Sequence, residues 1–208
     1  HRDLHSFPTR RSSDLPPPPL NLSSEIIEED KCLYAGKATL TKVLLKAELN
    51  NRDFTFPIYC TIPNGIEKYP AFIHISFINN VTEMCMYTEE ICGNGFGVIS
   101  FSYEDITADC NDGFSSGLAN EIYKGRNRLP NEAGKIALWA WAASRTMDYV
   151  QTLDNIDKDN IAVVGHSRLG KTALLAGGLD ERFAYVISNN SGCSGAAITR
   201  NKTGERVK

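Results

Sequence analysis

Alternating and continuous apolar stretches divide most of the chain into predicted strands. Residues 37–49 and 54–62 are rich in β-branched and aromatic side chains in rough alternation with polar ones. A turn-forming Asn-Asn-Arg-Asp segment separates these stretches, which predicts a pair of antiparallel strands. Later strands are predicted as short runs, most of them apolar as in strands buried on both faces of a sheet. They cover residues 71–77, 97–101, 161–164 and 183–188.

Helical periodicity is strongest over residues 134–153. Apolar side chains recur there three and four positions apart, which predicts an amphipathic helix packed on a sheet. Trp139 and Trp141 are two positions apart, so we expect that they cannot both face the core. Further helices are predicted over residues 82–92 and 172–179. Strands that alternate with helices favour an α/β fold, with a mostly parallel central sheet that follows antiparallel N-terminal strands.

The remaining segments lack a regular pattern. Residues 1–15 have no amphipathic period and no signal-peptide core, and they resemble a translated sequencing adapter, so we expect a non-native tail there. Residues 16–36 begin with four prolines and are predicted to form an N-terminal arm. Residues 103–133, rich in Asp, Asn and Gly, read as a long surface excursion of the kind that often carries function. Residues 201–208 contain neither a helix stop nor a closing strand, so we expect the domain to continue past them.

Composition excludes several classes of protein. The 208 residues are 42% hydrophobic and 23% charged, which is typical of a globular domain and excludes disorder and a coiled coil. No apolar run approaches the roughly 20 residues that span a bilayer. A net charge of −3 provides no cationic surface for nucleic acid. None of the six cysteines forms a C-x-x-C pair, which argues against a zinc ribbon. Cys85 and Cys92 are expected to be core thiols.

The turn after the strand at 161–164 has two incompatible interpretations. Gly165-x-x-x-x-Gly170-Lys171-Thr172 satisfies the pattern of a phosphate-binding loop between a strand and a helix. Such a loop favours small residues, whereas positions 166, 168 and 169 carry His, Arg and Leu. The next strand also lacks an Asp that could help to hold magnesium. The nucleotide-binding interpretation is therefore the weaker one, but it stays open at this point.

The second interpretation is a nucleophile elbow. In this motif a sharp strand-to-helix turn lifts one Ser above the sheet edge, and small neighbours allow the strained backbone. Ser167 follows Gly165 by two residues and stands at the start of a helix, where the helix dipole and the Arg168 N–H could stabilise an oxyanion. The generic G-x-S-x-G pattern is nevertheless broken, because Leu169 occupies the second glycine position and Gly170 follows it. Ser167 could otherwise be a helix N-cap without catalytic function.

The sequence around this turn resembles the glucuronoyl esterases of carbohydrate esterase family 15. Residues 165–171 read Gly-His-Ser-Arg-Leu-Gly-Lys, close to the family signature G-C-S-R-x-G-K, and the resemblance continues in both directions over most of residues 50–208. It implies an α/β-hydrolase three-layer sandwich, incomplete at the C-terminus, with residues 37–208 as its N-terminal part. Family members are serine esterases that cleave esters between xylan glucuronic acid and lignin alcohols, and they need neither metal nor cofactor.

The resemblance also implies roles for individual residues. Ser167 would be the nucleophile, Arg168 would serve the oxyanion hole through its N–H and guanidinium, and Lys171 would bind hydroxyls of the uronate ring. His166 replaces the cysteine that forms a disulfide in fungal members, so the match is closer to the bacterial branch. Asn190 stands where fungal members carry the catalytic Glu, and an amide cannot take that role. Asp180 and Glu181 are candidates for the acid, although such residues more often form a solvated turn between a helix and a strand.

A serine esterase needs a histidine base, which in α/β hydrolases follows the nucleophile and the acid along the chain. His1 and His5 belong to the tail, His74 precedes Ser167 on a buried strand, and His166 is adjacent to it. We therefore expect the base and the acid beyond Lys208, and no esterase activity from residues 1–208 alone. An acetylxylan-type esterase and a non-catalytic homologue are the remaining alternatives. The resemblance further implies a carbohydrate substrate, a monomer at full length, and a secreted or periplasmic location.

Overall fold

In residues 15–49, 52–78, 86–124 and 126–197, which this computed structural model describes, seven strands form one mixed sheet. The strands are β1 (Asn21–Cys32), β2 (Ala38–Leu49), β3 (Arg52–Pro63), β4 (Tyr69–Ser76), β5 (Gly97–Ser102), β6 (Ile156–His166) and β7 (Tyr185–Asn189). Their order across the sheet is β1-β2-β3-β5-β4-β6-β7. The first four in this order pair antiparallel and the last four pair parallel, so β5 joins the two halves.

Helices connect the strands and cover the sheet. They are α1 (Leu33–Gly36), α2 (Thr88–Gly93), α3 (Gly117–Tyr123), α4 (Lys135–Val150) and α5 (Arg168–Leu179). Element α1 is a single turn between β1 and β2 in which Tyr34 and Ala35 adopt left-handed backbone angles. Helices α4 and α5 pack against each other, and α5 also contacts β6 and β7. Within the described residues, no helix has the length and hydropathy needed to cross a membrane.

The α/β architecture predicted from the sequence is confirmed. Strands β2 and β3 form the expected antiparallel pair, and β4, β5, β6 and β7 form the expected parallel half of the sheet. Helices α4 and α5 also match, although α5 starts at Arg168 rather than at residue 172. The helix predicted over 82–92 is observed as α2, and residues 79–85 lie outside the described part of the chain.

The N-terminal arm expected over residues 16–36 contains a strand that its sequence does not reveal. Strand β1 pairs antiparallel with β2 along the sheet edge, from Asn21 opposite Glu48 to Asp30 opposite Leu40. Nearly all of its residues are exposed, so no buried face imposes an apolar alternation on it. A polar edge strand of this kind discourages pairing with other chains.

The excursion predicted over residues 103–133 is less exposed than its polar composition suggests. It includes α3, whose Leu118 and Ala119 are fully buried in the main core. The Tyr123 hydroxyl donates a hydrogen bond of 2.8 Å to the carbonyl of Ala133, which ties the end of α3 to the segment before α4. Helix α3 is therefore packed into the domain rather than exposed on its surface.

Helix α4 is buried on nearly all sides, which corrects the expectation of an amphipathic helix with one face on the sheet. Trp139 and Trp141 are both almost completely buried, contrary to the expectation that only one of them could be. They face different neighbours: the Trp139 indole donates to the carbonyl of Thr107 at 3.0 Å, and that of Trp141 donates to the carbonyl of Pro17 at 3.0 Å. The N-terminal arm therefore covers the side of α4 that the sequence pattern left to solvent.

Cys32, Cys60 and Cys110, in the described part of the chain, are free thiols. Cys92 is buried, as expected, and its thiol lies 3.8 Å from the carbonyl oxygen of Thr61. Cys60 is also buried, and burial raises its pKa to about 12. Cys85 lies outside the described residues. Cys60 and Cys92 are thus packed in the interior of the protein.

Candidate active site

Ser167 alone separates the end of β6 from the start of α5. Its backbone angles are φ 54° and ψ −123°, a left-handed conformation that L-residues rarely adopt. A non-glycine residue in such a region costs of the order of 1–3 kcal/mol and persists only where the surroundings enforce it. The strand-to-helix junction therefore has the sharp, strained geometry of a nucleophile elbow.

Two glycines allow the elbow to close. A Cβ atom on Gly165 would lie 2.2 Å from the carbonyl oxygen of Leu169, which no side chain can tolerate. A Cβ atom on Gly170 would lie 3.1 Å from the carbonyl oxygens of both Gly165 and Asn189. Gly170 therefore permits the close strand–helix approach although it comes one residue later than in G-x-S-x-G. The Leu169 side chain is fully buried in the core, which explains the departure from the generic pattern.

Backbone hydrogen bonds hold Ser167 on both sides. Its N–H donates to the carbonyl of Asn189 at the end of β7 at 2.8 Å. Its carbonyl accepts from the N–H groups of Gly170 at 3.0 Å and Lys171 at 3.3 Å. Within the described residues its hydroxyl makes no hydrogen bond, and the residue is partly exposed. The hydroxyl is thus available at the N-terminus of α5, where the helix dipole favours negative charge.

These hydrogen bonds also exclude the phosphate-loop interpretation. A phosphate-binding loop turns a series of free backbone N–H groups toward its ligand. Here α5 begins at Arg168, and the N–H groups of Gly170 and Lys171 are already bonded inside its first turn. The match to Gly165-x-x-x-x-Gly170-Lys171-Thr172 is therefore coincidental, and this alternative is wrong.

Arg168, the residue after Ser167, carries two kinds of donor, a backbone N–H and a guanidinium. Its backbone N–H lies in the first turn of α5, where such groups have no acceptor within the helix. Its guanidinium donates a hydrogen bond to the carboxylate of Asp109 in the excursion after β5. The sequence predicts a functional role for this excursion but singles out no residue in it. The pairing joins positions 59 residues apart, so no local pattern could have indicated it.

Aromatic rings form a wall beside the elbow. Tyr103 follows β5 and packs edge-to-face against Phe77 and Trp139, with ring centroids 5.2 Å apart in both pairs. Phe77, just after β4, also contacts the ring of His166 with centroids 6.4 Å apart. Burial raises the pKa of the Tyr103 hydroxyl, while the nearby Arg168 charge opposes the rise. These rings give one side of the site a rigid, largely apolar border.

Lys171 lies one turn into α5 and is partly exposed. Because it follows Ser167 by four residues, it starts on the same side of the helix as the elbow. A lysine in the first turn opposes the helix dipole, so its position is not explained by helix stability. The structure thus brings Ser167, Arg168 and Lys171 together at one edge of the sheet.

Neither histidine in the described residues is placed as a base for Ser167. His74 lies on β4 with its Nδ1 atom 3.2 Å from the Ser100 hydroxyl, and only 7% of the residue is exposed. Burial lowers its pKa to about 4, so the ring is neutral near pH 7. His166 is adjacent to Ser167 and contacts Phe77. Both residues have structural neighbours that account for them.

Asp180 is placed far from Ser167, at the opposite end of α5. The helix has 12 residues, which corresponds to about 18 Å along its axis. The Asp180 carboxylate accepts two hydrogen bonds from Arg182, at 2.8 and 2.7 Å. Arg182 also donates to Asp148 on α4 at 2.7 Å. Asp180 is therefore part of an ion-pair network that joins α4 to the α5–β7 turn.

Residues 45–208 match the family model described as glucuronyl esterase, fungi. The chain belongs to the glucuronoyl esterase family. Among its relatives, carbohydrate esterase MZ0003 from an unknown prokaryotic organism is 45% identical over 122 residues, which are 58% of this chain and 28% of that protein. The 4-O-methyl-glucuronoyl methylesterase of Hypocrea jecorina is 32% identical over 109 residues, 51% of this chain and 23% of that protein.

Solved structures of glucuronoyl esterases share the fold. The glucuronoyl esterase from Solibacter usitatus superposes with a TM-score of 0.80 at 30% identity, over 89% of this chain and 56% of that one. The chain thus spans about half the length of this relative. The shared fold confirms the α/β-hydrolase architecture that the sequence resemblance implied.

The glycine contacts predict different effects of two substitutions, one at Gly165 near the end of β6 and one at Gly178 near the end of α5. Gly165→Ala should lower the free energy of unfolding by about 3 kcal/mol or more, because its Cβ would displace the Leu169 backbone. Gly178→Ala is the matched control, since a Cβ there meets no atom within 4 Å, and it should raise stability by up to about 1 kcal/mol. Urea unfolding measures both values. Equal effects of the two substitutions would show that the elbow is not closely packed.

The lowered pKa of His74 predicts a pH dependence of stability. The unfolded chain, with a histidine pKa of about 6.5, binds the proton more readily than the folded chain, where the pKa is about 4. The free energy of unfolding should therefore fall by about 3 kcal/mol from this group as the pH drops from 7 to 4. A His74→Asn variant should lack this component when urea unfolding is compared at both pH values. An identical pH dependence of stability in the wild-type protein and in His74→Asn would contradict this prediction.

Proposed function

We propose that the whole protein containing this chain is a serine carboxylic-ester hydrolase that cleaves glucuronoyl esters. The substrate would be the glucuronic acid or 4-O-methyl-glucuronic acid of xylan, esterified to a lignin alcohol. The observation that carries this proposal is the strained Ser167 between β6 and α5, with its hydroxyl free of hydrogen bonds in the described residues. Membership of the glucuronoyl esterase family and the names of the relatives support the substrate class.

The reaction would proceed through an acyl-enzyme. The Ser167 hydroxyl attacks the ester carbonyl carbon and gives its proton to a base, which produces a tetrahedral oxyanion. The Arg168 N–H and guanidinium then stabilise that oxyanion, and the guanidinium is the stronger, charge-assisted donor. The lignin alcohol leaves with the proton, and water releases the glucuronate by the same steps in reverse. Lys171 would bind ring hydroxyls of the uronate and orient the ester.

The base and its acid partner are proposed to come from a segment that follows Lys208. His74 is buried on Ser100 and His166 shares the elbow with Ser167, so neither is positioned to accept the proton. Asp180 is committed to Arg182 at the far end of α5. Asn190 is adjacent to the Asn189 carbonyl that holds the elbow, but its amide cannot serve as the acid.

The substrate class bears on where the protein acts. Xylan bound to lignin is an insoluble polymer outside cells, so we propose that the whole protein is secreted or periplasmic. We also propose that it acts as a monomer, because a polymer substrate needs an open approach to Ser167. Cell fractionation and light scattering on the whole protein test these two points.

Removal of the Ser167 hydroxyl tests the proposal. Ser167→Ala in the whole protein should lower kcat on the methyl ester of 4-O-methyl-glucuronate by about 10⁴-fold or more, because the nucleophile is lost. Ser24→Ala, on the exposed edge strand β1, is the control and should leave kcat unchanged. Residues 16–208 alone should be inactive, since they lack the proposed base.

Two results would overturn the proposal. Full activity of Ser167→Ala would show that another group is the nucleophile. Release of acetate from acetylated xylan without cleavage of the glucuronoyl ester would favour an acetylxylan-type esterase.

A further inference from the structure

The guanidinium of Arg168 is oriented by one acidic side chain. Its Nη1 atom donates to Oδ2 of Asp109, and about half of the Arg168 side chain is exposed while Asp109 is 21% exposed. An exposed arginine samples many rotamers unless a partner selects one. The guanidinium has five N–H donors, and this contact uses one of them. Within the described residues the other donors make no hydrogen bond, so an oxyanion or a substrate oxygen could accept from them.

Asp109 is itself held in place by α4. The Lys135 ammonium donates to the carbonyl oxygens on either side of it, Ala108 at 2.6 Å and Cys110 at 2.5 Å. It also donates to the carboxylate of Asp112 at 2.6 Å, and it is only 14% exposed. One largely buried cation thus holds the backbone on both sides of Asp109.

Two further hydrogen bonds make this segment rigid. One turn along α4 from Lys135, the Trp139 indole donates to the carbonyl of Thr107 at 3.0 Å. The Ala108 N–H donates to the Ser116 hydroxyl at 3.1 Å. Backbone groups of the loop that carries Asp109 are therefore bonded to α4 and to the loop itself. These bonds hold Asp109 in position.

We propose that Asp109 is a positioning residue that holds the Arg168 guanidinium beside Ser167, with Lys135 as its anchor. This inference rests on the proposed esterase function. An exposed ion pair contributes little to folding stability, so the Asp109–Arg168 contact has its main effect on where the guanidinium lies. Transition-state stabilisation requires donors that are oriented before charge develops, and Asp109 supplies that orientation.

The test compares Asp109→Asn with Glu132→Gln in the whole protein. Glu132 lies in the same excursion and is likewise paired with an arginine, Arg126, at 2.7 Å, so it receives the same chemical change without a contact to Arg168. Asp109→Asn should lower kcat by about 10-fold, less than the roughly 10²–10³-fold lost with a complete oxyanion donor. KM and the thermal midpoint should stay nearly unchanged, and Asp109→Glu should recover part of the loss. Glu132→Gln should have wild-type kcat.

A double-mutant cycle separates positioning from a general structural effect. In an Arg168→Ala background, Asp109→Asn should change kcat by less than about 2-fold, because its effect passes through the missing guanidinium. An equal 10-fold loss in that background would overturn the inference. So would an unchanged or raised kcat of Asp109→Asn while Ser167→Ala is inactive. Activity that survives Ser167→Ala would instead refute the esterase function, so the two failures are distinguishable.

Discussion

The close approach of the β6 end to the first turn of α5 is the constraint on which the site depends. Gly165 allows a backbone-to-backbone contact that any side chain would block, and at Gly170 a Cβ would be tightly crowded, 3.1 Å from two carbonyl oxygens. The turn that remains is so short that Ser167 must adopt a left-handed conformation, and the Asn189 carbonyl fixes it there. Packing in the core offsets the cost of this strained conformation, because Leu169 at the start of α5 is buried in the core.

The rest of the domain makes that junction rigid. Helix α4 packs against α5. Its first residue, Lys135, also hydrogen-bonds the loop that carries Asp109. One helix therefore supports both the elbow and the partner of Arg168. Helix α4 is itself almost completely buried between the sheet, α5 and the N-terminal arm, which holds it in place. The same helix thus contributes to the core and also holds the loop beside the site.

Elements whose pattern is imposed by burial could be predicted from the sequence. The β2–β3 pair, the buried parallel strands and the helix after Ser167 follow from local periodicity and from the glycines at 165 and 170. Strand β1 could not be predicted, because an exposed edge strand needs no apolar alternation. The second buried side of α4 was also missed, because Pro17 covers Trp141 across 124 positions of sequence.

The same distinction applies to the site. Ser167, Arg168 and Lys171 lie within five consecutive positions, so a motif could reveal them. Asp109 and Lys135 contact residues that are distant in sequence, and neither carries a local signature. The length and polarity of residues 103–133 mark the segment that contains Asp109 as a candidate, but the pairing of Asp109 with Arg168 exists only in the folded chain.

Covalent labelling of the nucleophile tests the central claim most directly. The whole protein would be treated with a fluorophosphonate, which reacts with an activated serine, and then digested for peptide mass spectrometry. The account predicts one adduct on Ser167, formed faster than on any other serine and absent from Ser167→Ala. An adduct on a different residue, or no adduct under conditions in which the esterase is active, would contradict it.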